Sequence, residues 1–156
     1  MFTSLLNKHT ACAWLLPFLI ILASCGSQDD KPEPTPQYVV KVKIISTDAG
    51  GLGAGGLVSI TRLDKPRAVL LDASLPDNGI EEAETITSLK TGETVAVGLG
   101  FDKATTGSGI VPRTTSQLRG EIWVNGQLKA SAELDRNTPS QNPDYPTNSA
   151  RYTMGD

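Results

Sequence analysis

Between Tyr38 and Asp156 the apolar runs alternate with a period of two, and no segment keeps a helical stripe over three turns. A period of two sends neighbouring side chains to opposite faces of an extended chain, which restricts this region to half-buried β-strands. Tyr38–Ser46 sets Val40, Val42 and Ile44 on one face, with Lys41 and Lys43 opposite. Thr94–Phe101 sets Val95, Val97, Leu99 and Phe101 on one face, with Ala96, Gly98 and Gly100 on the other. Leu57–Leu63 and Ala68–Leu71 read as short strands around a turn at Asp64-Lys65-Pro66. Ala83–Leu89 reads as a strand ending in the turn Lys90–Glu93. The sharpest local signal is Asn125-Gly126, the pair that most readily takes positive φ at both centres of a two-residue hairpin turn. Leu118, Ile122 and Val124 share a face before it, and Leu128, Ala130, Ala132 and Leu134 share one after it. A closing strand is expected near Ala150–Met154. Seven or eight such strands with polar turns, in a region long enough for one core, predict a single antiparallel, immunoglobulin-like β-sandwich over 38–156.

The start of the chain follows a different pattern. Met1–Thr10 is polar and carries Lys8, and Ala11–Ala23 is a run without a charge. A bilayer-spanning helix needs about 20 apolar residues, so this run has the length of a signal-peptide core instead. It ends in Leu22-Ala23-Ser24-Cys25, which resembles the bacterial lipobox. The resemblance implies recognition of Leu22, Ala23 and Ser24 by signal peptidase II, removal of residues 1–24, a diacylglycerol thioether on Cys25 and a further N-acyl chain. The alternative is an ordinary secreted protein cut by signal peptidase I. Each buried CH₂ adds about 0.8 kcal/mol, so two or three chains would hold the protein on a membrane without a transmembrane helix.

Residues 25–37 then form the lipidated end of a linker. Gly26–Gln37 contains three prolines and no apolar side chain, so it should stay extended and unpacked. By resemblance to Gram-negative lipoproteins, Gly26 beside the cysteine favours the outer membrane over the inner. Ser27-Gln28-Asp29-Asp30 looks like the acidic tract that sends some lipoproteins to the cell surface; it reads equally well as a soluble spacer.

Removal of residues 1–24 would take Lys8, His9 and Cys12 with it, leaving 13 basic against 17 acidic side chains. That charge offers no basic field for nucleic acid. With Cys25 committed to lipid, residues 26–156 contain neither histidine nor cysteine. Ser-His-Asp and Cys-His machinery, His or Cys metal ligands and an intrachain disulfide are therefore outside its reach.

Gly50–Gly56 contains G-x-G-x-x-G at Gly51, Gly53 and Gly56, but a strand is expected after it. Without a helix N-terminus to receive a pyrophosphate, the segment reads as a hairpin loop and not a cofactor site. Asp77, Glu81, Glu82 and Glu84 gather around the turn Pro76–Gly79. Such carboxylates could hold Ca²⁺ or act as a glycosidase pair, although their spacing fits no EF-hand and a solvated turn explains them as well. Ser88 and Lys90 suggest a nucleophile pair only weakly, because Lys90 belongs to a solvated turn. Arg136–Asn148 is a long polar loop with Tyr145, and Trp123 has outward parity beside Arg119 and Glu121. Tyr145 and Trp123 together could form a binding patch; Trp123 could equally pack in a sheet interface.

Glu84–Phe101 and Gly120–Glu133 are similar to the C-terminal part of small envelope β-sandwiches, including the mycobacterial membrane protein small family. The shared pattern is a strand, a Lys/Gly turn, a strand and a hairpin of the form I-x-V-[DN]-G-[KQ]. The chain lacks the aromatic residues that such domains carry before the turn, and it has a lipobox where they have a transmembrane helix. The resemblance implies the fold, and the family's transport-accessory role is not carried over. The expectation is a non-catalytic binding or structural module of the cell envelope, without a cofactor beyond its lipid. Its partner would be an envelope protein or a polysaccharide. A carboxylate-dependent hydrolase and a Ca²⁺-stabilised adhesin-like domain are the alternatives.

Overall fold

The structure, a computed structural model, describes residues 37–83, 85–105, 107–142 and 144–156. The lipobox Leu22–Cys25, all of the linker before Gln37, and Glu84 lie outside the described residues. Nine strands follow in order: β1 Tyr38–Thr47, β2 Ala54–Arg62, β3 Lys65–Ser74, β4 Gly79–Glu82, β5 Ile86–Leu89, β6 Thr94–Phe101, β7 Gln117–Val124, β8 Gln127–Asp135 and β9 Thr147–Thr153. They form two antiparallel sheets, one ordered β4-β1-β7-β8 with β5 also on β1, the other β3-β2-β6-β9. The fold is an all-β sandwich. In an immunoglobulin domain the first two strands share a sheet; here β1 and β2 fall in opposite sheets.

The expected core faces of β1, β6 and β7 turn inward. Val40, Val42 and Ile44 of β1, Val95, Val97, Leu99 and Phe101 of β6, and Leu118, Ile122 and Val124 of β7 are buried in one cluster. Two inward glycines let the sheets approach. An added Cβ on Gly56 would lie 2.4 Å from Ile44 Cδ1, and one on Gly120 would lie 2.9 Å from both methyl groups of Val97. Bulky residues of one sheet thus enter gaps left by the other, as dense core packing requires.

Four details differ from the sequence reading. The strand expected over Ala83–Leu89 is shorter, β5 beginning only at Ile86, while Gly79–Glu82, where no strand is expected, forms β4; the two pair in tandem along β1, with Lys43 opposite Glu82 and Val40 opposite Ile86. The ten-residue β1 is long enough to carry both, which raises the strand count to nine. Leu128 leaves the core face because β8 carries an extra residue, Lys129, between the pairs Trp123–Leu128 and Ile122–Ala130. One added residue reverses the side-chain parity, so Leu128 sits outside and Ala132 and Leu134 stay inside. The glycine segment is no hairpin; its first half crosses from β1 to the other sheet, and Gly55 and Gly56 belong to β2. The β2–β3 turn is Leu63-Asp64, so Pro66 lies within β3, an edge strand where a missing N–H is tolerated.

The Asn125-Gly126 turn forms as expected, with φ of 50° and 78°. It belongs to a wider asymmetry. The short turns Leu63-Asp64, Thr91-Gly92 and Asn125-Gly126 lie at the pole where the chain enters β1 at Tyr38. The connections 48–53, 75–78, 102–116 and 136–146 all lie at the opposite pole.

Candidate functional site

The long connections of that far pole are tied to the strands by side chains. Asp48 accepts hydrogen bonds from the Thr115 hydroxyl and from Arg113 Nη1 at 2.7 Å. Ser116 Oγ donates to the Asp48 carbonyl at 2.6 Å, and Ser46 Oγ to that of Pro76 at 2.8 Å. Asp135 accepts from Thr138 Oγ1 at 2.6 Å as the chain leaves β8. Further down the sheet edge, Glu82 accepts from Lys41 at 2.6 Å and Lys43 at 3.3 Å.

These contacts hold the Asp48, Glu82 and Asp135 carboxyls below their ordinary range. The leading causes are the hydrogen bonds from Thr115, Lys41 and Thr138 respectively, with burial opposing each. A carboxyl whose folded pKa is depressed stabilises the fold above its ordinary value and loses that contribution as pH falls through the folded value. Melting temperature should therefore be flat near neutrality and fall below the ordinary values of 3.8 for Asp and 4.5 for Glu. Circular dichroism melts across this range test the sign. A decline that begins near pH 7 would contradict it, because no histidine remains after residue 9 to titrate there.

The candidate carboxylates disperse. Asp77 Oδ1 accepts from the Gly50 amide at 2.6 Å, and its carbonyl accepts from Ala49 at 3.0 Å, so the residue clamps a loop. Glu82 is engaged by two lysines, and Glu81 sits opposite Ile44 on β4. No group of three potential metal ligands occurs among the described residues. Ser88 Oγ accepts from Arg62 Nη2 at 3.1 Å, so its partner is not Lys90.

Trp123 and Tyr145 are not one patch. Trp123 lies on the outer face of the five-stranded sheet, where Nε1 donates to Glu121 Oε2 at 2.9 Å. Glu121 also forms an ion pair with Arg119 at 2.9 Å. Beside Trp123 is a shallow hollow of about 340 Å³ lined by Val39, Lys41, Lys43 and Thr85. Tyr145 instead borders the four-stranded sheet, where its Cε2 lies 3.6 Å from the point a Cβ on Gly100 would occupy.

That second face carries an open trough of about 670 Å³ that crosses all four strands near the far pole. Its walls are Asp72 and Ser74 of β3 on one side, and Tyr145 with Asn148 on the other. Its floor is Gly55 of β2 with Gly98 and Gly100 of β6, and Gly55 stands directly opposite Gly100 in the sheet. Asn148 is fixed in place, donating to the Glu133 carbonyl at 2.7 Å and accepting from Gln141 at 3.1 Å.

The chain matches no protein-family model, no curated protein and no solved structure. The likeness to small envelope sandwiches is thus carried by the residues alone.

Tyr145 and its loop were legible in the sequence, and Asp77, Gly51, Gly53 and Gly56 also line the trough, but its floor and the Asp72 wall were missed. A signal was present: Gly55, Gly98 and Gly100 occupy outward positions of strands, where glycine is disfavoured and polar or β-branched residues are usual. Asp72 carried no such signal, because its place depends on an extra residue in β3 that shifts the register between Val58–Leu71 and Ser59–Val69.

Proposed function

We propose that this chain is a lipid-anchored protein of the bacterial cell envelope whose sandwich is a binding module, tethered at one pole and open to a ligand near the other. The observation that carries the reading is the polarity of the domain. The linker side joins β1 at Tyr38, among short turns and beside the smaller hollow next to Trp123. The long connections and the trough lie at the other end of β1, about 30 Å away for a ten-residue strand. Binding residues concentrate on loops held by a rigid scaffold, so the loop-rich pole is the one suited to meet a partner. With lipid on Cys25, the tether would join the domain at the Tyr38 pole and leave the loop-rich pole free of it. Gly26 favours the outer membrane for that anchor. No arrangement among the described residues favours the hydrolase or calcium alternatives, since Asp77 and Glu82 are already engaged.

Bacterial cells expressing the full chain test the anchor. Globomycin, which blocks signal peptidase II, should accumulate a precursor longer by residues 1–24. Cys25→Ala should move the protein out of the detergent-extractable membrane fraction. An unchanged size under globomycin, together with a Cys25→Ala variant still membrane-bound, would overturn the reading.

A further inference from the structure

We propose that the trough across β3-β2-β6-β9 is a carbohydrate-binding site that takes an uncharged sugar chain, with one sugar ring packed on Tyr145. The inference rests on reading the domain as a binding module and names the ligand class. The trough's volume of about 670 Å³ falls in the range of small-molecule sites.

Its floor is open without any internal need. A Cβ on Gly55 would come no closer than 3.7 Å to another atom, on Gly98 3.9 Å and on Gly100 3.6 Å, all ordinary contacts. None of the three has positive φ. A strand glycine costs about 0.5–1 kcal/mol relative to alanine, so three of them at one place call for a reason outside the fold. Close approach of a ligand is such a reason. Gly56 and Gly120 differ, since neighbouring side chains already occupy the space beside them.

The chemistry of the walls selects the ligand. Asp72, Ser74 and Asp102 supply acceptor oxygens, and Lys103 is the only cation among the lining residues. Such a surface repels phosphates and acidic polymers and suits a donor-rich neutral molecule. An added peptide strand would need unpaired backbone groups, whereas β2 and β6 are paired along both edges. A sugar meets both demands: its hydroxyls donate to the carboxylates, and its C–H face packs on the bare backbone and the Tyr145 ring.

Affinity electrophoresis of the purified full chain in detergent provides the test, with gels containing xylan, mannan, mixed-linkage β-glucan or starch. At least one of these should retard the protein. Gly98→Leu, which fills the floor, and Tyr145→Ala should each weaken binding about tenfold or more. Leu63→Ser at the opposite pole should leave it unchanged. An unaltered melting temperature for Tyr145→Ala would show that its loss is not unfolding. The proposal is overturned if no neutral polymer retards the protein, if only the cationic DEAE-dextran does, or if binding survives both trough variants. Membrane attachment through Cys25, read on the same preparations, reports on the anchor separately.

Discussion

Replacing Gly120 with valine should destabilise the domain more than any change on the outer face of either sheet. Gly120 sits between Ile44 of β1 and Ala132 of β8 and points at Val97 across the core. Its added Cβ alone would lie 2.9 Å from both Val97 methyls, with Leu99 Cδ2 at 3.4 Å. Val97 is fully buried and β-branched, so its χ1 is restricted and it has little room to retreat. Overpacking of this kind costs about 1–3 kcal/mol for modest insertions, and valine's two further methyls put the loss at or beyond the upper end. Gly98→Ala provides the matched comparison. It lies in the other sheet, on its outer face, has room for a Cβ, and should raise stability by up to about 1 kcal/mol. Urea denaturation of the two variants reads the difference directly. Equal midpoints would mean that the two glycines are not distinguished by the face they occupy.

Phe101→Ala should be comparably damaging by the opposite route. Phe101 is the largest fully buried side chain among the described residues and closes the inner face of β6 at the far pole. Its amide donates to the Pro146 carbonyl at 3.1 Å, and its own carbonyl accepts from Ala104 at 3.2 Å, so both long connections converge on it. Truncating a buried phenylalanine to alanine costs about 3–5 kcal/mol, set by how far the surroundings collapse into the cavity. The melting temperature should fall by roughly 10–20 °C for a domain of this size. The cavity opens beneath 102–116 and 136–146, so these segments should lose protection from hydrogen exchange before the Asn125-Gly126 hairpin does. Phe101→Leu should recover most of the loss. A fall of less than about 1 kcal/mol for the alanine variant would mean that Phe101 is not packed as described.

The sandwich was legible because its determinants are local. Alternation in β1 and β6 and the Asn125-Gly126 turn settle the core face of their strands without help from distant residues. Errors arose where pairing overrides periodicity. Leu128 keeps the parity of a core residue, and only the extra residue Lys129 sends it outward. Ala83–Leu89 has strand composition throughout, yet only Ile86–Leu89 pairs with β1, whose other half takes Gly79–Glu82 as a second partner end to end. The trough was less legible than the fold. Gly55 and Gly100 are far apart in sequence and become neighbours only through the β2–β6 register. Tyr145 could be singled out as an aromatic in a polar loop, while its separation from Trp123 depends on which sheet each borders.

Membrane attachment through Cys25 is the proposal on which the reading of this chain as an envelope protein rests. Intact mass spectrometry of the protein extracted from membranes, with fragmentation of its N-terminal peptide, tests this most directly. The mature chain should begin at Cys25, with the cysteine carrying a diacylglyceryl thioether and an N-acyl chain. A chain that begins elsewhere, or one that begins at Cys25 with an unmodified thiol, would contradict it.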